Sequence, residues 1–134
     1  MIAAGLRYFA IVFAVAFALG TIRTLWLTAA VGATMAVVIE VPLILVVSFV
    51  AARAIVVRDR DLTRGRALGI GAIAFALLML AESSLSLLVF GTSLASWFEA
   101  QMHLPGAIGL LGQLLFALMP LIARNRVAAA RALP

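Results

Sequence analysis

The chain has no cysteine and no lysine, a single histidine, and charge on only 11% of its residues. Without cysteine there is no disulfide framework, no thiolate metal site and no thiol redox or nucleophilic chemistry. The lone histidine, His103, stands beside Pro105 in a polar connection. It reads as a solvated residue, and with no second histidine it gives no basis for a zinc or haem site. Nucleophile elbows, phosphate-binding glycine loops and metalloprotease motifs are also missing, so the sequence predicts neither an enzyme nor a cofactor.

The scarcity of charge carries the most weight. Soluble domains have about a quarter of their residues charged, whereas here 66% are apolar in a chain of 134 residues, too small to hide that much apolar surface from water. The apolar residues fall in runs of 18 or more, the length at which a helix rising 1.5 Å per residue crosses about 30 Å of hydrocarbon. The sequence therefore predicts an all-α integral membrane protein, one domain over residues 1–134, built as a four-helix bundle of two antiparallel transmembrane hairpins.

The first span is expected over about 6–27, with Tyr8 and Trp26 as interfacial rings at its two ends. A cleaved signal peptide competes with this reading, because Arg7, an apolar stretch and the small residues of 29–33 have that form. Arg23 would then lie awkwardly between the apolar stretch and the cleavage site. The second span is expected over 34–57 after a short small-residue turn at 28–33, the third over 67–90, and the fourth over 106–122. Residues 58–66 mix six charges of both signs with a glycine and must be an aqueous loop. In the connection 91–105, Leu94, Trp97, Phe98 and Met102 recur at helical spacing, which predicts an amphipathic helix over 93–103 lying in the interface.

All ten basic residues are arginines, and the net charge is +5. In a soluble protein such a balance raises nucleic-acid binding. Here the arginines cluster at the ends of apolar runs, so topology and lipid headgroups explain them better, and no nucleic-acid partner is expected. Arg7, Arg53, Arg58, Arg60, Arg64, Arg66, Arg124, Arg126 and Arg131 all fall on one side of a four-span arrangement, leaving only Arg23 on the other. By the positive-inside rule both termini and the middle loop should be cytoplasmic, in a multi-pass protein of a bacterial inner membrane.

Inside the spans remain four strongly polar side chains, one per helix: Arg23, Glu40, Glu82 and Gln113. Counted from the outer ends they lie at similar depths, roughly 6 to 12 Å in. A charge there costs at least about 2.5 to 3.5 kcal/mol in lipid, so each such residue needs a partner or a cavity. Arg23 and Glu40 face each other across a tight turn and are natural partners, which leaves Glu82 as the second acid. Ser86 shares a face with Glu82 at i, i+4, and Gly106, Gly109 and Gly112 permit close helix approach beside Gln113. Arg23, Glu40, Glu82, Ser86 and Gln113 are thus the candidate ligand- or ion-binding residues, with no metal site among them. The competing reading makes the same layer an internal glue that fixes helix register.

The stretch Gly20-Thr21-Ile22-Arg23, followed one hairpin later by Glu40-Val41-Pro42, resembles small uncharacterised four-helix inner-membrane proteins of bacteria over most of the chain. The resemblance implies a fold and a location but no activity. Small multidrug exporters, by contrast, place an acid in the first span, where Arg23 stands here. Two function classes follow. One is a binding or transport protein for a small ion or solute, self-associating as a homodimer because four helices barely enclose a pathway. The other is a non-enzymatic accessory or assembly subunit docking a partner membrane protein.

Overall fold

The computed structural model describes residues 1–133, and Pro134 lies outside the described residues. It is helical throughout, with no strand among those residues. Helix α1 runs Ile2–Val31, α2 Ala33–Arg58, α3 Arg64–Val89, α4 Leu94–Gln101 and α5 Gly106–Arg131. All but α4 are long and apolar enough to cross a membrane.

The helices outrun the sequence expectations at several ends. The turn expected at 28–33 shrinks to Gly32, whose φ of 83° is the left-handed conformation that lets two helices meet at one residue. On its near side α1 keeps its helical path through a π turn, Arg23–Leu27, in which the Thr28 N–H reaches the Arg23 carbonyl. At the other end of the chain α5 does not stop near 122 but continues through the arginine tail, because arginine and the three consecutive alanines 128–130 are good helix formers. Two starts are capped by side chains: Thr63 Oγ1 accepts from the Arg66 N–H at 3.2 Å, and Ser93 Oγ from the Ser96 N–H at 3.1 Å.

The long helices form a ring in which α1 touches α2 and α3, and α5 touches the same two. The pairs α1/α5 and α2/α3 sit on the diagonals, with no backbone contact among the described residues. The loop between α2 and α3 therefore crosses one end of the bundle. It is tied there by the Asp59–Arg66 ion pair at 3.1 Å and by Arg124 Nε donating to the Leu62 carbonyl at 3.1 Å, with Leu62 buried beneath. Met1 lies over Gly69 at the same end.

Small residues close this end. Ala51, Ala52, Ala67, Ala74 and Ala123 are buried in the core, and Gly71 sits so near the Ala117 carbonyl of α5 that a Cβ there would collide with backbone. Above them, Tyr8 of α1 is wholly buried and reaches across the diagonal, its hydroxyl donating to the Phe116 carbonyl at 2.7 Å and its ring stacked on Phe116 at 4.7 Å. The expectation that Tyr8 is an interfacial ring is thus overturned. The reason is Pro120: lacking an N–H, it cannot bond the carbonyl four residues back, and that carbonyl belongs to Phe116. Tyr8 supplies the missing donor. Trp26, by contrast, is exposed.

Candidate functional site

At the opposite end the ring opens around a cavity of about 670 Å³ lined by all four long helices and α4. Val12, Leu78 and Phe116 form its floor. Three phenylalanines of α1, Phe9, Phe13 and Phe17, stand one turn apart along one wall, with successive ring centroids 5.1 and 6.1 Å apart. Spacing of i, i+4, i+8 puts them on one face, a pattern readable in the sequence but not drawn from it above.

Arg23, Glu40, Glu82, Ser86 and Gln113 all line this cavity. They come as two bonded pairs. Arg23 Nε donates to Glu40 Oε2 across the α1–α2 junction, with the Glu40 side chain buried and that of Arg23 one-third exposed. The π turn begins at Arg23 itself, so the local widening of the helix occurs where its side chain leaves for α2. Gly20, one turn earlier, faces the same pair: a Cβ there would lie 3.6 Å from Glu40 Oε1 and 3.9 Å from Arg23 Nη2. Thr21 and Thr24, on either side of Arg23, spend their hydroxyls on the carbonyls of Phe17 and Gly20.

The second pair joins α3 to α5. Gln113 Nε2 donates to Glu82 Oε2 at 2.6 Å, and Gln113 Oε1 is buried with no partner among the described residues. A buried amide oxygen left this way costs roughly 1–3 kcal/mol unless something donates to it. The cavity thus holds two carboxyl groups and a single guanidinium, the latter already bonded to Glu40.

Ser86 belongs to the cavity wall, but its hydroxyl turns outward to Thr92 Oγ1 at 2.5 Å rather than to Glu82, because the chain folds back after α3 and brings Thr92 over its last turn. Ser83 bonds the Met79 carbonyl at 2.7 Å. Ser83 and Ser86 thus spend their hydroxyls on local partners, a backbone carbonyl and a threonine hydroxyl, and neither bonds Glu82. Of the three glycines of α5, Gly106 packs against the Ala100 carbonyl of α4, and a Cβ on Gly112 would lie 2.9 Å from Val41 Cγ1. Gly109 departs from the expected close approach, since nothing lies within 4 Å of where its Cβ would be; it borders the cavity instead.

Helix α4 forms almost where expected, but its apolar residues do not share one fate. Trp97 is buried, facing the cavity, while Leu94, Phe98 and Met102 are exposed. Gly106 admits α4 close to the start of α5, and that contact turns the Trp97 ring inward. His103 is exposed, its Nδ1 3.1 Å from the Glu99 carbonyl.

No protein-family model, curated protein or solved structure matches the chain.

Proposed function

We propose that the chain is a multi-pass inner-membrane protein, its helices crossing as two antiparallel hairpins with both termini and the arginine-rich end cytoplasmic, and that the cavity opposite binds a small solute or ion from the outer side. One observation carries the reading: the four intramembrane polar side chains, scattered from residue 23 to 113, all line one cavity of about 670 Å³. Small-molecule sites typically enclose about 300–1,000 Å³ of mostly apolar wall with a few converging polar groups. Charge decides the kind of solute. Arg23 is taken by Glu40, so Glu82 is the acid left to meet a cationic group or carry a proton, and the aromatic rings of Phe9, Phe13 and Trp97 suit a cation at their faces. Binding, rather than catalysis, is what these groups support.

Trp97 is the built-in reporter. In a Trp26→Phe background, its fluorescence should respond saturably to tetraphenylphosphonium, and about tenfold more weakly to tetraphenylborate, which has the same shape and the opposite charge. Glu82→Gln should erase that difference. If neither ion gives a saturable response, the binding reading fails. The orientation is tested separately: because the chain has no cysteine, Gly65→Cys and Ser93→Cys give single labelling sites. An impermeant maleimide added to intact cells should label residue 93 and spare residue 65.

A second reading, an accessory subunit docking another membrane protein, draws on the fact that Arg23 with Glu40 and Glu82 with Gln113 are mutually bonded, as structural glue would be. It predicts a stoichiometric partner in mild detergent, where the transport form of the first reading predicts a homodimer. The unpartnered Gln113 Oε1 favours the first.

A further inference from the structure

The extension of α5 beyond the expected end at 122 does more than lengthen a helix. It lays Arg126, Val127 and Arg131 alongside the last two turns of α2, and a groove of about 280 Å³ opens between them. Arg53, from α2, points into the same groove, with Phe49 one turn further in and Val57 one turn further out. We propose that this groove is a binding site for the phosphate of an anionic phospholipid, held by Arg53, Arg126 and Arg131. The proposal rests on the membrane reading but is independent of the cavity at the other end.

Three features support it. The first is uncompensated charge: no carboxylate lines the groove, and among the described residues the one ion pair at this end is Asp59–Arg66. Three exposed guanidinium groups gather where repulsion disfavours gathering unless an anion joins them. Planar guanidinium forks match phosphate oxygens in geometry as well as charge. The second is donor capacity. Arg131 spends one N–H on the Val57 carbonyl at a long 3.4 Å, while no hydrogen bond engages Arg53 or Arg126 among the described residues.

The third is the order of chemistry along the groove, which separates a lipid from a free phosphate. Arg53 lies five residues short of the end of α2 at Arg58, about 7.5 Å inward along the axis. Inward of it comes Phe49, and Val127 flanks it from α5. Charge at the mouth and apolar surface behind it fit a molecule with a phosphate head and an acyl tail. A free phosphate uses only the first half of that sequence. Basic grooves between helices at the cytoplasmic end are the sites where anionic headgroups bind.

The test is native mass spectrometry of the full chain in mixed micelles of phosphatidylglycerol and phosphatidylcholine. The wild-type protein should retain phosphatidylglycerol in about tenfold preference over phosphatidylcholine. The triple variant Arg53→Gln/Arg126→Gln/Arg131→Gln should fall to near parity. A control that removes the same charge from the loop and its edge, Arg58→Gln/Arg60→Gln/Arg64→Gln, should keep the preference. Inorganic phosphate at tens of millimolar should leave the bound lipid in place. Parity in the wild type, equal loss in both triple variants, or displacement by inorganic phosphate would each overturn the proposal. Should the first triple variant fail to fold, Arg126→Gln alone serves, with a severalfold loss of preference expected and no loss overturning the site. Failure of the membrane reading would show differently, as a wild-type chain that enters vesicles of neither lipid.

Discussion

The two ends of the bundle are made from the same helices by opposite means. At the arginine end, alanines and Gly71 draw the backbones together, and Leu62 and Tyr8 plug what remains. At the other end, the same helices carry phenylalanines and the polar pairs, and the space between them is a cavity. Even the prolines divide this way. Pro120 is buried and the carbonyl it frees is taken by Tyr8, whereas Pro42 is exposed and no side-chain hydrogen bond reaches the Val38 carbonyl among the described residues. Closure here comes from small side chains rather than large ones: a large residue between two helices holds them apart unless its neighbours yield.

Substitutions sharpen or break this contrast. The largest effect should come from Gly71→Val, which forces a branched side chain against the Ala117 carbonyl and should cost about 3 kcal/mol, near the upper end of overpacking penalties. Unfolding by dodecyl sulfate titration in mild detergent measures it. A near-neutral result would mean that the arginine end is not held shut by close backbone approach. Next is Arg23→Ala, which strands Glu40 in a largely buried position. With Arg23 itself one-third exposed, a loss of about 2 kcal/mol is expected, below the range for a wholly buried pair. Adding Glu40→Gln should recover at least half of it, and no recovery would show that packing, not charge, was lost.

Tyr8→Phe should cost about 1 kcal/mol by the same assay, the worth of one buried hydrogen bond, while the stacked ring stays. Combining it with Pro120→Ala should nearly abolish that cost, because the Phe116 carbonyl regains a helical donor. The smallest effect belongs to the open end: Gly109→Ala meets nothing within 4 Å and should change stability by no more than about 0.5 kcal/mol. A large loss there would mean the cavity closes in the working protein.

Much of this was legible in the residues alone. Long apolar runs announced the four long helices because no other arrangement suits so little charge, and equal depth on either side of a short turn paired Arg23 with Glu40. The shape of the site was less accessible. Nothing in a one-dimensional pattern says that α2 and α3, adjacent in sequence, sit on a diagonal, and that ring order is what brings Gly71 to Ala117 and Tyr8 to Phe116. Tyr8 near the end of an apolar run had the standing of an interfacial ring. Only the loss of a donor at Pro120, 112 positions later, explains why it turns inward. The fourth span was cut short because its arginines look like an end, although an alanine-rich segment remains a good helix in water.

The link from Tyr8 to Phe116 also sets an order in time. The chain is made from its N-terminus, and the acceptor for the Tyr8 hydroxyl lies 108 residues downstream. The bond from α1 to the Phe116 carbonyl therefore waits until α5 has been synthesised and packs beside α2 and α3. The later helix is the one that seats the earlier.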